Sequence, residues 1–388
     1  GIGHVLYSNT GLSCLENAQP LIINHRHGCF GLVHNGNLVN TQELKKTLES
    51  KGNIFTTTTD TEVIAQLVAR KNINSDSFVE SIRDTMKHLV GSYSLIFLHE
   101  GRLIAVRDPS AIRPLCIGKT PDGYIVASES CVIDVLGYEF IRDVKPSEIL
   151  VVGDSLESFK GPAGSVSHCM FEYVYFSRPD SVLDGKSVYA CREKLGRNLA
   201  KVEPVEADIV SAVPDSGINH AIGYAHESDI PYSEALIKNR YVGRTFILPE
   251  NRNRGLNVRI KLNAIPSQVE GKRVVIVDDS LVRGTTMKRL VRVLRDAGAS
   301  EVHVRIACPP LRHPCFYGID MQTAKEFIAG EKSVQDICAS IGADTLAYNT
   351  VEGLVNAIGM DSRKLCMACI NCEYPLKDTQ SNITDSIN

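Results

Sequence analysis

The sequence predicts an α+β domain followed by an α/β domain, and three observations support this division. The chain has 388 residues, more than one hydrophobic core usually supports. Before about residue 160, short strand-like runs outnumber long helical ones, as is typical of an α+β domain. Beyond the linker-like segment Gly161–Ser165, strands alternate with helices, which is the pattern of a doubly wound parallel sheet.

Composition excludes several classes of protein. Hydrophobic residues make up 43% of the chain and charged residues 22%, as in ordinary globular proteins. The net charge of −3 argues against a nucleic-acid partner, which would favour a basic stripe. No apolar run approaches the roughly 20 residues that span a bilayer. The 12 Cys are scattered along the chain, unlike the dense Cys of a secreted disulfide framework. We therefore expect no nucleic-acid partner and no membrane partner.

The first domain is expected to consist mainly of strands. Gly31–His34 is typical of a strand, and the Asn-Gly pair directly after it is a strong turn signal. Thr41–Leu48 has a helical pattern. Ser94–Leu98 and Arg102–Val106 are apolar runs on either side of His-Glu-Gly, which predicts a hairpin.

The second domain shows a strand-helix-strand unit. Val274–Val277 is entirely apolar, like parallel strands that are buried on both faces. Thr286–Ala297 carries its apolar residues on one helical face, and Glu301–Ala307 is the next strand. Asp208–Val213 is a further strand, which ends in Pro-Asp-Ser-Gly.

Two carboxylates and a small-residue turn follow the apolar strand, at the edge where open α/β sheets bind ligands. The turn leads into a helix whose free N–H groups and dipole favour a phosphate. The carboxylates suit ribose hydroxyls or Mg²⁺, which would neutralise a diphosphate. The alternative is that Asp-Asp-Ser only caps the helix. The residues expected at this phosphate site are Asp278, Asp279, Ser280, Arg283, Gly284, Thr285 and Thr286.

Two other segments are candidates for the same site. Ser216 follows the predicted strand Asp208–Val213 and is expected to reach the metal. Lys238–Thr245 is basic and contains a Gly hinge, which suits a lid that closes over phosphates with Lys238 and Arg244. A solvated surface loop is the alternative for this segment.

The string Val274–Thr286 resembles the phosphoribosyl-diphosphate (PRPP) motif of type I phosphoribosyltransferases. Together with His34–Leu38, Thr59–Glu62 and Arg107–Leu115, it resembles the amidophosphoribosyltransferase family over essentially the whole chain. The resemblance implies an α+β N-terminal-nucleophile glutaminase domain, incomplete at its N-terminus, followed by an α/β type I phosphoribosyltransferase domain.

The resemblance also implies an activity. Ammonia from glutamine would displace diphosphate from C1 of PRPP to give 5-phosphoribosylamine, in the first committed step of de novo purine synthesis. Asn35 and Gly36 would donate to the oxyanion, and Asp60 would hold the α-amine of glutamine. The implied partners are PRPP and glutamine as substrates, purine nucleotides as inhibitors, and further copies of the chain in a homo-oligomer.

This chain departs from the family pattern at three positions, two of which bear on the use of glutamine. Residue 1 is Gly, so the N-terminal Cys that serves as nucleophile is absent from this chain, and we expect upstream residues to be missing. Leu6 stands where the family has an Arg that grips the α-carboxylate, a loss on the order of several kcal/mol. Ala111 replaces a usual Gly. A glutaminase-impaired paralogue is therefore one alternative function, and a non-enzymatic PRPP-sensing regulator is another.

Cys366 and Cys369 have the spacing of a soft-metal ligand pair. Many members of the family hold a [4Fe–4S] cluster, and the resemblance adds Cys169 and Cys315 as its other ligands. Zinc on the same thiolates and four free buried thiols are the alternatives. Cys372 is left out because the family has another residue at that position.

The predicted boundaries are 1–160 for the glutaminase domain, 166–350 for the phosphoribosyltransferase domain and 351–388 for a C-terminal segment with the cysteine cluster. The expected compartment is the cytoplasm. A plastid is the alternative if a transit peptide preceded residue 1.

Overall fold

The fold is described from a computed structural model, which covers residues 1–5, 14–75, 77–239, 262–321 and 323–376. We refer to residues up to 160 as the N-terminal region and to those from 166 as the C-terminal region. The strands of the N-terminal region are β1 (Leu21–His25), β2 (Gly28–Leu38), β3 (Gly91–His99), β4 (Arg102–Arg107), β5 (Cys116–Thr120), β6 (Gly123–Ala127), β7 (Glu139–Asp143), β8 (Glu148–Val152) and β9 (Leu156–Lys160). Its helices are α1 (Thr41–Glu49), α2 (Asp60–Asn72), α3 (Phe78–Met86) and α4 (Ser130–Val135).

A six-stranded antiparallel sheet, in the order β1-β2-β3-β4-β8-β9, forms the centre of the N-terminal region. Side chains of β4 alternate between two apolar clusters because successive residues of a strand point to opposite faces. Ile104 and Val106 share one cluster with Ile64 of α2. Ala105 joins the other cluster with Ile117, which lies in a smaller sheet of order β6-β5-β7. The result is the layered α+β domain that the sequence predicted, with the predicted hairpin present as β3 and β4.

The Asn-Gly pair does not form the turn that the sequence predicted. Asn35 and Gly36 lie inside β2, which pairs with β3 in one continuous antiparallel register. A Cβ at Gly36, where φ is +157°, would lie 2.1 Å from the carbonyl oxygen of Ser92. The turn prediction was wrong because this Gly permits a close approach of two strands, and the local sequence cannot distinguish that use from a chain reversal.

The C-terminal region alternates strands and helices. Its strands are β10 (His168–Cys169), β11 (Val182–Leu183), β12 (Lys186–Ser187), β13 (Ile209–Ala212), β14 (Leu236–Lys238), β15 (Leu262–Ala264), β16 (Arg273–Asp278), β17 (Glu301–Ile306), β18 (Thr345–Tyr348) and β19 (Leu365–Cys366). Its helices are α5 (Val188–Val202), α6 (Ile218–Ser228), α7 (Pro266–Val269), α8 (Thr285–Asp296), α9 (Ile328–Glu331), α10 (Val334–Ile341), α11 (Val351–Ile358) and α12 (Ala368–Asn371). A π-helical turn covers Glu172–Phe176.

A parallel sheet of order β13-β16-β17-β18 forms the core of the C-terminal region. Along β16, Val274 and Ile276 face one apolar cluster with Leu290 of α8. Val275 faces the opposite cluster with Tyr224 of α6. Because both faces are covered, the strand can be apolar throughout, and the predicted unit of β16, α8 and β17 is confirmed. Across the described ranges, no helix is long and apolar enough to cross a membrane.

The last described segment returns to the start of the C-terminal region. β19 pairs in parallel with β10, which places Cys366 opposite Cys169, and Ile370 belongs to the same apolar cluster as the parallel sheet. The division into residues 1–160, 166–350 and 351–388 stays a prediction, and residues 377–388 lie outside the described part of the chain.

Arg107 connects the two regions through a buried ion pair. Its Nη1 and Nη2 donate to the two carboxylate oxygens of Asp184 at 2.8 and 2.9 Å, and its Nε donates to the carbonyl oxygen of Arg113. Burial opposes ionisation of Asp184, but the hydrogen bonds and charge of Arg107 hold the pKa of this carboxyl below its ordinary value.

Replacing Asp184 by Asn should lower the free energy of unfolding by about 3 kcal/mol, because the buried Arg107 charge would lose its counter-ion. A carboxyl with a lowered folded pKa stabilises the protein above its ordinary pKa of 3.8, and the stabilisation disappears as the pH falls through the lower folded value. The difference between the two proteins should therefore persist from pH 7 to about pH 4 and shrink below that. Urea unfolding at several pH values measures it, and equal midpoints at pH 7 would contradict the prediction.

Candidate active sites

β16 places Asp278 and Asp279 at the carboxyl edge of the parallel sheet. The carboxylate of Asp278 accepts the backbone N–H of Asp279 at 2.9 Å, and the carboxylate of Asp279 accepts from Oγ of Ser280 at 2.5 Å. Burial raises the pKa of both carboxyl groups, and the charge of Asp279 raises that of Asp278 further. A cation bound at this edge would relieve the repulsion between the two carboxylates.

The loop after β13 reaches the same edge. The hydroxyl of Ser216 hydrogen-bonds the carboxylate of Asp279. The adjacent Asp215 pairs with Nζ of Lys238 at 2.5 Å, so Lys238 also lies next to this loop. The structure therefore brings together Ser216, Lys238 and the two carboxylates. Arg244 lies outside the described residues.

The turn before α8 has the geometry expected of a phosphate-binding turn. Gly284 has a φ of +73°, a left-handed conformation that Gly adopts at low cost. Thr285 and Thr286 form the start of α8, where backbone N–H groups have no acceptor within the helix. The guanidinium of Arg283 pairs with Glu326 at 2.8 Å. Binding a phosphate through Arg283 would require it to leave or share this carboxylate.

A second site lies in the N-terminal region, at a cavity of about 560 Å³ lined by Asn35, Gly36 and Asp60. We call it the amide cavity. Asp60 begins α2 and is only 4% exposed. Its Oδ2 accepts the backbone N–H of Leu38 at 2.9 Å, and its Oδ1 lies 3.4 Å from Nδ1 of His34. Burial acts to raise the pKa of Asp60, but the charge and hydrogen bond of His34 keep it below its ordinary value. Asp60 is thus a buried anion that suits an ammonium group.

Two further charged residues, Arg113 and Glu172, line the amide cavity. Nη2 of Arg113 donates to Oδ1 of Asn35 at 3.3 Å, and Nη1 lies 2.8 Å from Oε1 of Glu172. Arg113 lies in the predicted motif Arg107–Leu115, but neither side chain was assigned a role from the sequence. Arg113 could have been suspected from its motif with Arg107, whereas Glu172 belongs to the C-terminal region and no local signal connects it with Asn35.

A short segment of the C-terminal region packs against the strands beside the amide cavity. Nδ2 of Asn37 donates to the carbonyl oxygen of Phe316 at 2.9 Å, and Oγ of Ser92 donates to that of Tyr317 at 2.8 Å. Gly318 packs so closely that a Cβ there would lie 3.3 Å from the carbonyl carbon of Gly36. The strand that carries the predicted oxyanion donors is therefore in direct contact with the C-terminal region.

The four thiols predicted as cluster ligands line one small, mostly apolar cavity of about 20 Å³. Burial raises their pKa values, and the neighbouring thiols raise that of Cys369 further. Among the residues that the structure describes, no three His, Cys, Asp or Glu side chains are arranged to hold a metal ion. The ligand set thus stays a prediction, although the four thiols are brought together. They are Cys169, Cys315, Cys366 and Cys369.

Of the departures from the family pattern, Leu6 lies outside the described residues. Ala111 is fully buried and has a φ of +50°. This left-handed conformation costs Gly less than Ala, which gives a physical reason for the usual Gly at this position.

Comparison with known proteins identifies both regions. A model of the glutamine amidotransferase domain matches residues 12–134, and a model of the phosphoribosyl transferase domain matches residues 195–327. Amidophosphoribosyltransferase from Methanocaldococcus jannaschii is 50% identical, over 97% of this chain and 83% of that protein. The Bacillus subtilis enzyme of the same name is 48% identical, over 98% of this chain and 81% of that protein.

A solved structure shows the same architecture. Glutamine PRPP amidotransferase from Bacillus subtilis, complexed with ADP and GMP, superposes with a TM-score of 0.90 at 47% identity, covering 96% of this chain and 82% of that one. Sequence identity of this extent, over both domains and nearly the whole chain, shows that the chain belongs to the amidophosphoribosyltransferase family.

Proposed function

We propose that the two sites of this chain work in sequence to make 5-phosphoribosylamine from PRPP and the amide nitrogen of glutamine, the first committed step of de novo purine synthesis. One observation carries the proposal: the Asp278–Asp279 edge and the amide cavity coexist in one fold, and the segment Phe316–Gly318 of the C-terminal region packs against the strand that lines the amide cavity. Ammonia released at one site would then be consumed at the other.

In the glutamine half, the buried anion of Asp60 would bind the α-ammonium group. Nδ2 of Asn35 and the backbone N–H of Gly36 would donate to the oxyanion that forms when the amide carbon is attacked. The predicted nucleophile is an N-terminal Cys thiol, whose proton passes to its own α-amine and then to the departing ammonia.

In the transferase half, Ser216, Asp278 and Asp279 would hold Mg²⁺. This donor set fits the ion, which usually takes one or two carboxylates in addition to substrate phosphates. When bound, Mg²⁺ would neutralise charge on the leaving diphosphate. Residues 284–286 at the start of α8 would bind a phosphate through backbone N–H groups, and Lys238 would add a positive charge.

The function is tested by measuring 5-phosphoribosylamine formation from PRPP and Mg²⁺, with glutamine or with ammonium as the nitrogen source. The protein should carry the predicted N-terminal Cys. We expect product from both. Product from ammonium alone would favour the glutaminase-impaired alternative, to which Leu6 points. PRPP binding without product from either source would favour the PRPP-sensing regulator.

We propose that Cys169, Cys315, Cys366 and Cys369 hold a [4Fe–4S] cluster, because four soft ligands line one buried cavity. The cavity has room for about one water molecule, so loading would require its walls to move. Replacing Cys366 by Ser should lower iron and acid-labile sulfide in anaerobically purified protein to near background. Cys372→Ser is the control and should keep both. Stoichiometric zinc without sulfide would support the zinc alternative instead.

Purine nucleotides are proposed as inhibitors, since their phosphates would compete with PRPP for the start of α8, and the related Bacillus subtilis protein was solved with ADP and GMP. The homo-oligomeric state and the compartment stay predictions.

A further inference from the structure

Arg113 contacts both regions of the protein. Only 1% of its side chain is exposed. Nη2 donates to Oδ1 of Asn35 at 3.3 Å, while Nη1 lies 2.8 Å from Oε1 of Glu172. The guanidinium carbon also lies 4.5 Å from the centre of the Phe176 ring, a favourable cation–π distance. The charged group is therefore held on three sides, and two of these partners come from the C-terminal region.

The contact with Arg113 decides which way the carboxamide of Asn35 points. A guanidinium can only donate hydrogen bonds, so it must face the amide oxygen. The NH₂ group of Asn35 is then directed away from Arg113 and remains available to a ligand. An oxyanion needs this donor orientation, because the opposite flip would present the amide oxygen to the negative charge.

Glu172 is a fixed negative charge that holds Arg113. Its Oε2 accepts from Oγ of Ser177 at 2.5 Å. Its Oε1 and Nη1 of Arg113 are close but not aligned for a hydrogen bond, and neither has another partner within the described part of the chain, so this contact is ionic. The guanidinium of Arg192 donates to the carbonyl oxygens of Tyr173 and Ser177. These bonds fix the backbone directly after Glu172.

We propose that Arg113 is a positioning residue for the oxyanion donor Asn35, and that Glu172 of the C-terminal region keeps Arg113 in place. The amide cavity of the glutaminase domain is therefore completed by a residue from the transferase domain. This inference rests on the proposed glutaminase function and assigns how one of its donors is oriented. Arg113 acts through Asn35, so its removal should affect the transition state more than the binding of glutamine.

The test uses Arg113→Met and Glu172→Gln in protein that carries the predicted N-terminal Cys. For glutamine hydrolysis we expect kcat to fall about tenfold to hundredfold with KM changed by less than about threefold, because an oxyanion donor acts mainly in the transition state. Formation of 5-phosphoribosylamine from ammonium should stay within about twofold. A raised KM with unchanged kcat would overturn the inference, since Arg113 would then bind ground-state glutamine.

Asp184→Asn is the matched control, because it also removes the buried partner of an Arg between the two regions but does not contact Asn35. Its kcat for glutamine should stay within about twofold. If the kcat of Asp184→Asn fell as much as that of Arg113→Met, the effect would come from general loosening between the two regions, and the inference would be overturned. The double variant Arg113→Met/Glu172→Gln leaves no unpaired buried charge, which protects the fold, and should show the same fall in kcat.

A comparison by neutron crystallography, which distinguishes the NH₂ group of an amide from its oxygen, tests the inference without turnover. In Arg113→Met, the carboxamide of Asn35 should leave the orientation it has in the unmodified protein; an unchanged orientation would overturn the proposal. If the unmodified protein makes no product from either nitrogen source, the proposed function fails, whereas this comparison still decides the role of Arg113.

Discussion

Replacing both Asp278 and Asp279 by Asn should abolish Mg²⁺-dependent PRPP binding, raising the Kd by at least about a hundredfold. The two carboxylates lie at the carboxyl edge of the sheet, and the Ser216 hydroxyl contacts Asp279. Asn removes both charges while keeping the size of each side chain. Binding Mg²⁺ to neutral amides loses charge-assisted contacts worth about 1.5–3 kcal/mol each, and two such losses account for the expected change.

Isothermal titration with PRPP, with and without Mg²⁺, measures this effect. Asp208→Asn is the control, because Asp208 pairs with Arg273 at the amino end of the same strand, and its PRPP affinity should be unchanged. The double variant should be no less stable than the unmodified protein without ligand, because raised pKa values mean that the ionised pair costs folding energy at neutral pH. A Kd within about threefold of the original would refute the site.

Asp60→Asn should lower kcat/KM for glutamine about a hundredfold and leave ammonium-dependent synthesis unchanged. The buried carboxylate would pair with the α-ammonium group, and a charged hydrogen-bond pair in a dry site contributes about 3 kcal/mol. Because this pairing exists in both the ground and transition states, most of the loss should appear as a raised KM. Steady-state kinetics with each nitrogen source separates the two halves of the reaction.

The control for Asp60 is Asp108→Asn. Asp108 is also buried in the N-terminal region and also accepts backbone N–H groups, from Tyr93, Ser110 and Ile112. Burial raises the pKa of Asp108 to about 6, so at pH 7 and above this replacement removes a buried negative charge, as Asp60→Asn does. Its KM for glutamine should stay within about twofold. If KM rose as much in Asp108→Asn as in Asp60→Asn, the effect would not be specific to Asp60, and any buried carboxylate of this region would support the cavity.

The features that could be predicted from the sequence are those formed by residues adjacent in the chain. The apolar run Val274–Val277 predicts a strand covered on both faces, and the residues after it form the turn at which we predict phosphate binding. Strand end, carboxylates and helix start are neighbours in the chain, so the sequence specifies their arrangement directly. Asn35, Gly36 and Asp60 were identified through the family resemblance, and the structure places them around one cavity.

The features that the sequence did not predict depend on long-range contacts. Glu172 meets Arg113 only because the C-terminal region packs against the amide cavity, and Glu326 meets Arg283 only in the folded chain. Gly36 was misread because an Asn-Gly pair carries the same local signal in a turn and in a strand that approaches its neighbour closely. Tertiary packing, not local preference, decides all three cases.

The hydrogen bond from Asn37 to the Phe316 carbonyl oxygen lies on the same strand, β2, as the proposed oxyanion donors. The two residues before Asn37 are the proposed oxyanion donors, and the strand is paired with β3 from Phe30 to Leu38. Such a ladder resists local bending, so a displacement of the Phe316 carbonyl oxygen would reach Asn35 within two peptide units. The rate of glutamine hydrolysis then depends on how closely the C-terminal region packs against β2. If the two regions packed poorly, ammonia would be released slowly, and little of it would be lost to solvent.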